Sequence, residues 1–323
     1  MNVGFIGAGK MASTLMQKVD ESDHATITGV CDVDEEAARR AADPRGASAY
    51  TDHATLYEAE PLDAVFVAIP PFAYDDQVTL AAERGIDVFV EKPVALECGR
   101  GRETLAAIES AGIVTGTGYV FRYDAITERA IELLADREIS MLVGRYWSGL
   151  LASSWGSTLE LSGGEIVTRT THLYDLVRYL GGDVDRVTAA STDRPGTPEI
   201  DYPAATTATL THENGIVSTV SSAVTSPKWT AELDVVGDDV HLLLDYTTQE
   251  LSGTIDDEGI DLDLSTDRYG REVENFLEAV DRNDPGHVRS DYADAIRTLS
   301  LNWTVIDAAE SGAVATVGET PRS

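Results

Sequence analysis

Short apolar runs alternate with helical stripes over the first third of the chain. Residues 3–6, 63–69, 86–90 and 113–117 are continuous apolar or β-branched segments, the pattern of strands buried on both faces of a parallel sheet. Residues 25–31 form another β-rich run. Met11, Leu15, Met16 and Val19 fall on one face of a helix. Further helices are expected over 34–42, 51–57, 74–84 and 98–110, with Pro44-Arg45-Gly46 and Gly85 as breakers. Pro70-Pro71 cannot extend a central strand, so the chain turns there. Strand and helix thus alternate to about residue 118, which predicts a doubly wound parallel sheet covered by helices on both faces.

The pattern changes from Tyr119. A helix over 124–134 precedes a long β-prone run at 139–151 and a Ser/Gly-rich loop through Gly163-Gly164. Leu173, Leu176, Val177 and Leu180 stripe a helix that ends at Gly181-Gly182. The β-prone segments 184–191, 205–211, 216–223, 230–236 and 241–246 follow, separated by turn signals such as Glu213-Asn214-Gly215 and Gly237-Asp238-Asp239. They read as hairpins of an antiparallel sheet. Helices at 270–283 and 291–310, split by Asp284-Pro285-Gly286, close the chain. The expected fold class is α/β: an N-terminal doubly wound domain over 1–118, then an α+β domain over 119–323 with a mainly antiparallel open sheet. The last two helices can pack back on the first domain.

The first strand runs directly into Gly7-Ala8-Gly9-Lys10-Met11-Ala12, a G-x-G-x-x-A turn at the start of a helix. In such a turn Gly7 makes the bend, Gly9 admits a pyrophosphate to the backbone, and Ala12 lets helix and strand pack closely. The free N–H groups at the helix start, beside Lys10 and Met11, attract phosphate. Asp32 ends the second strand 20 residues beyond Ala12, where a carboxylate accepts both ribose hydroxyls. Asp34 adds a second negative charge, and the first arginines are Arg39 and Arg40. A 2′-phosphate would meet acids there, so NAD is expected over NADP.

Charge and composition narrow the field. The 323 residues carry a formal net charge of −32, with 56 acids against 24 Lys plus Arg; the lysines are Lys10, Lys18, Lys92 and Lys228. No basic face suggests a nucleic-acid partner, and no run of 18 apolar residues suggests a membrane span. The first strand starts too early for a signal peptide to precede it, and Cys31 and Cys98 make neither a disulfide framework nor a metal cluster. A cytoplasmic protein is expected. The scattered acids resemble those of proteins from extreme halophiles, where salt screens the self-repulsion.

Several motifs coincide in order and spacing: the glycine turn, Ile69-Pro70-Pro71, Glu91-Lys92-Pro93, Gly118-Tyr119 with Arg122, and Gly163-Gly164 followed by Thr171-His172-Leu173-Tyr174-Asp175. Together they resemble the Gfo/Idh/MocA oxidoreductases, over essentially the whole chain. The resemblance implies a Rossmann domain, NAD(P)-linked chemistry on sugars and polyols, and homo-dimers or tetramers built through the open sheet. It implies that Ile69, Pro70, Glu91 and Lys92 line the cofactor, and that Lys92 polarises the reacting oxygen while His172 moves the hydroxyl proton. A cis bond before Pro93 is also implied.

Asp175, one turn after His172, either orients it, contacts substrate, or serves packing or capping. Tyr119, Arg122, Trp147, Trp155, Thr168 and Thr171 are candidate substrate contacts, with packing or structural pairing as the alternative for each. One departure stands out: many relatives carry an acid four residues before the histidine, where this chain has Thr168, and Glu165 lies a turn too early. Tyr74 likewise stands where many relatives have His. Thr168 keeps open a non-catalytic dinucleotide sensor, and a redox-neutral NAD-assisted lyase or glycosidase is a further alternative.

Overall fold

Six parallel strands form the first sheet: β1 (Asn2–Ile6), β2 (Thr26–Cys31), β3 (Ser48–Tyr50), β4 (Ala64–Val67), β5 (Asp87–Val90) and β6 (Thr115–Thr117), in the order β3-β2-β1-β4-β5-β6. This and all that follows come from a computed structural model that describes residues 1–150, 153–194, 196–319 and 322. The helices between the strands are α1 (Lys10–Glu21), α2 (Glu35–Ala42), α3 (His53–Ala59), α4 (Gln77–Glu83) and α5 (Cys98–Ala111). The order reverses between β1 and β4, and the carboxyl ends at such a switch point are where ligands bind in open α/β sheets.

The first unit comprises residues 1–95, 99–120 and 267–296. Its last segment contributes a helix far along the chain, numbered α9 below (Arg268–Arg282). Phe66 stacks between Phe5 and Phe89 with ring centroids 4.9 and 5.0 Å away, and Phe276 of that helix meets Phe66 and Phe89 edge-on at 5.4 and 5.6 Å. Gly116 leaves room for this ring, since a Cβ there would lie 2.9 Å from it. Full burial of one such ring stabilises by about 1.5–3 kcal/mol. Lys18–Asp267 (2.8 Å) and Ser22–Glu274 (2.9 Å) tie α1 to the same helix.

The second unit comprises residues 96–98, 121–266 and 297–323. Among the described residues its sheet has nine strands: β7 (Ile139–Trp147), β8 (Val184–Thr192), β9 (Ala205–His212), β10 (Val217–Ala223), β11 (Thr230–Gly237), β12 (Val240–Asp245), β13 (Glu250–Ile255), β14 (Glu258–Asp263) and β15 (Ala315–Thr316). The order is β14-β13-β12-β11-β7-β10-β9-β8-β15. All pairs are antiparallel except β7 and β10, so the hairpins are interrupted where β7 slots between β10 and β11. Residue 151, the end of the expected β-run, lies outside the described residues. The helices of this part of the chain are α6 (Ala125–Leu134), α7 (Leu159–Ser162), α8 (Thr171–Gly181), then α9, and α10 (Tyr292–Ser311).

α8 covers β7 and β10, and Gly144 lets Leu173 approach the strand to 3.2 Å of where a Cβ would stand. A π-helical turn, Ile166–Thr170, leads into α8. Such turns insert a residue and re-aim the side chains that follow. Among the described residues no helix is long and apolar enough to cross a membrane.

Candidate cofactor and catalytic residues

In the first unit, the expected cofactor residues gather at the carboxyl ends of β1, β2, β4 and β5. Gly7 has φ +99°, and a Cβ there would fall 2.3 Å from the carbonyl oxygen of Ala68, so only glycine fits this bend. Gly9 caps α1, and nothing lies within 4 Å of where its Cβ would be. That open space, beside the free amides of a 12-residue helix carrying Lys10 and Met11, fits a pyrophosphate. Asp32 accepts from the Ala8 amide at 2.8 Å through Oδ2 and from the Asp34 amide at 2.9 Å through Oδ1. The acid therefore braces the glycine turn as well as ending β2. Asp34 caps α2, while Arg39 and Arg40 pair with Glu35 (2.5 Å) and Glu36 (3.4 Å) on the surface. Val33 between the acids is fully exposed.

Ile69 and Pro70 follow β4, and Ile69 lies against Gly7, its Cγ2 3.1 Å from the glycine's Cβ position. Glu91 and Lys92 follow β5. The Tyr74 hydroxyl donates to the Glu91 carbonyl at 2.8 Å, fixing the backbone there, and Lys92–Pro93 is cis. The Glu91 side chain is buried, with Oε2 accepting from the Lys92 amide at 3.1 Å. A Cβ on Gly118 would lie 2.6 Å from that oxygen, which explains the glycine before Tyr119. Burial pushes the Glu91 carboxyl up to about 7, opposed by the Lys92 charge. Tyr119, expected to face substrate, is buried in this unit.

In the second unit, His172 is the second residue of α8. It is nearly buried, with its ring 4.9 Å from Phe121, which stacks on Tyr246 at 4.3 Å. Arg122 and Asp175, expected separately as substrate and catalytic residues, meet each other. Arg122 Nε and Nη2 reach Asp175 Oδ2 and Oδ1 at 2.8 and 2.5 Å, both side chains buried. Thr298 adds a 3.2 Å bond to Asp175, and the Arg122 guanidinium lies 4.4 Å from the Tyr179 ring centre. This two-pronged pair ties the short 3-10 turn at Val120–Tyr123 to the face of α8 that carries His172.

Thr168 donates to the Gly164 carbonyl at 2.7 Å, and Thr171 accepts from Asn302 at 2.7 Å. Both hydroxyls thus hold backbone or helix in place. Trp155 sits half-buried in a turn before α7, and Trp147 is partly exposed near the end of β7. Glu165, at the head of the π turn, accepts from Thr170 at 2.5 Å through Oε1, and the Ser222 hydroxyl also hydrogen-bonds its carboxyl. It lines a cavity of about 40 Å³ with Ser191, Thr206, Tyr202, Ser222 and Ile306. Burial pushes Glu165 up to about 7. His172 and Thr168 do not line this cavity.

Residues 1–119 match the family model described as "Oxidoreductase family, NAD-binding Rossmann fold", and residues 137–242 match "GFO/IDH/MocA C-terminal domain". The chain is 27% identical over 331 residues to a D-xylose 1-dehydrogenase (NADP(+)) of Haloferax volcanii, covering 97% of this chain and 98% of that one. It is 29% identical over 258 residues to a D-apiose dehydrogenase of Paraburkholderia graminis, covering 75% and 67%. Among solved structures, a levoglucosan dehydrogenase in complex with NADH superposes with a TM-score of 0.88 over 99% of this chain and 100% of that one, at 18% identity.

Proposed function

Because this chain belongs to the Gfo/Idh/MocA oxidoreductase family, we propose that it transfers hydride between a nicotinamide and a secondary carbinol of a sugar, sugar acid or inositol, with NAD as its preferred cofactor. It is an NAD(P)-dependent oxidoreductase acting on CH–OH groups. The observation that carries the finer reading is the fingerprint completed in one unit: the Gly7–Gly9 turn, Asp32 at the end of β2, and Glu91-Lys92 at the end of β5. The relatives' names as sugar dehydrogenases, one acting with NADP(+), favour turnover over sensing and support the substrate class.

Bound NAD supplies the hydride acceptor. The chain's residues do the rest. Asp32 holds the adenosine ribose hydroxyls, and the amides at the start of α1 hold the pyrophosphate. Lys92, a compact ammonium, lowers the energy of the negative charge that builds on the substrate oxygen as hydride leaves its carbon. His172 takes the hydroxyl proton, and returns it in the reverse direction. The Arg122–Asp175 pair keeps the His172 helix in place and leaves the proton transfer to the histidine.

The test is nicotinamide absorbance in molar KCl with NAD or NADP and a panel of aldoses, sugar acids and inositols. Turnover is expected with NAD, falling by about 10²–10⁴-fold in His172→Asn, the usual worth of a positioned acid–base. Lys92→Ala should lose at least as much kcat while NADH still binds. A wild-type rate that survives both substitutions would exclude this mechanism. Half-exposed Met141, Trp147 and Val217, on one face of the second sheet, support assembly of copies through that face, which sedimentation would report. The charge of −32 and the Haloferax relative support a protein suited to high salt, one whose stability falls on dilution into low-salt buffer.

A further inference from the structure

Glu272 is a fully buried carboxyl, and neither of its oxygens has a hydrogen-bond partner. Nothing in the motifs calls for it. It lies on α9 one turn before Phe276, whose ring packs on Phe89 and fills the space above Gly116. Two residues further along the same two strands come Glu91 and Gly118, with the Glu91 carboxyl against Gly118. Lys18–Asp267 and Ser22–Glu274 show α9 running in the same direction as α1, against the strands, so the step back from Phe276 carries Glu272 toward the end of β5, where Glu91 and Lys92 emerge.

The electrostatics agree with this placement. Burial, and then the negative charge of Glu91, drive Glu272 far above the usual carboxylate range, with the Lys92 ammonium pulling against them. Of the other charged groups of α9, Asp267 pairs with Lys18, Glu274 with His24, and Glu278 with Arg282 and His287, while Arg268, one turn before Glu272, Arg271 and Asp281 are the remaining charges of the helix. Two buried acids thus lie close enough for the charge of Lys92 to act on both. A low-dielectric pocket tolerates that arrangement only when one acid keeps its proton.

We propose that Glu272 is a positioning residue for Lys92: the Glu91–Glu272 carboxyl pair carries a single proton, and the pair's ionisation sets the field in which the Lys92 ammonium works. With one proton on the pair, the three groups sum to zero charge and the ammonium is balanced by one carboxylate. Losing the proton makes the cluster anionic, which favours a positively charged nicotinamide ring over a neutral one. The catalytic meaning rests on the hydride-transfer reading above; the shared proton does not.

The test is a carbon-13 NMR titration of the glutamate carboxyls in the full-length protein without cofactor, in molar KCl. Glu91 and Glu272 are assigned by the signals lost in Glu91→Gln and Glu272→Gln. In the wild type the two titrate as a coupled pair. In Glu272→Gln the Glu91 midpoint should fall by at least one pH unit, a tenfold change, because its like-charged neighbour is gone and Lys92 stays. Glu272→Met, which keeps the volume without a carboxyl, should give the same shift and guards against a misfolded Gln variant. The pH profile of kcat should move in the same direction. An unmoved Glu91 midpoint overturns the proposal. A moved midpoint with no turnover on any sugar supports the shared proton and removes the hydride-transfer reading instead.

Discussion

Two buried clusters, one in each unit, treat charge in opposite ways. In the second, Asp175 meets Arg122 in a two-pronged pair, with Thr298 on one oxygen and Tyr179 under the guanidinium. Charge, shape and hydrogen bonds are matched, so the arrangement has one state. In the first, Glu91 and Glu272 share one nearby cation, and Glu272 has no hydrogen bond at all. In that arrangement burial and the like charge of Glu91 hold a proton on the acids. A matched buried pair fixes geometry; an unmatched one leaves a proton to be gained or lost, which is what a site that handles charge needs.

The largest effect expected from breaking this contrast is in the matched pair. Arg122→Met strands the Asp175 carboxylate in the core and should cost about 3–5 kcal/mol of stability, read by denaturant unfolding, whereas Arg122→Met with Asp175→Leu should recover most of it. Glu165, a buried acid of the second unit that Thr170 hydrogen-bonds but, among the described residues, no cation pairs, comes next. Its folded pKa is raised from an ordinary 4.5 to about 7, so the folded state binds the extra proton and stability falls as pH rises through that window. Glu165→Gln should therefore be the more stable protein above pH 7, by up to about 3 kcal/mol, with the difference vanishing near pH 4.5. A pH-independent difference would mean that Glu165 is not carrying a proton.

Asp32 should show a smaller change. Removing its charge in Asp32→Ser should raise the NADP-to-NAD ratio of kcat/KM by about tenfold, or ~1.4 kcal/mol, since Arg39 and Arg40 then meet a phosphate with one acid fewer. An unchanged ratio would show that Asp32 acts only as the brace of the Ala8 amide. The smallest effect is expected from an exposed pair: Arg39→Ala, opposite Glu35, should leave the unfolding midpoint within experimental scatter.

The parallel sheet was legible because β1, β4 and β5 are buried on both faces, and their sequences show it as unbroken apolar runs. The edge strand Ser48–Tyr50 has three residues and no pattern to read. β13 and β14 were missed for a different reason. They lie at the open edge of their sheet, and acids and glycines occupy the positions where β-branched residues would mark a strand. The parallel pairing of β7 with β10 depends on a helix crossing both, which neither strand's sequence records.

The candidate site residues came from backbone motifs in the sequence: the glycine turn, Asp32, Glu91-Lys92 and His172. Side-chain partnerships were not legible there. Arg122 and Asp175 are 53 residues apart and each looks like a ligand of something else. Glu272 was not singled out from the sequence, yet it lies at i−4 and i−8 from Phe276 and Val280, on the apolar side of its helix, and that placement was the available signal.

The Phe276 ring between Phe66 and Phe89 also governs how the protein can be made. The apolar layer over β4 and β5 is completed by a helix that the ribosome delivers about 180 residues after those strands are synthesised. We expect completion of the chain, rather than completion of the glycine-turn half, to be the step that stabilises this layer. A gene fragment ending at residue 119, although it spans a whole family signature, should express as an aggregating polypeptide, and supplying residues 267–296 on a linker should restore its solubility.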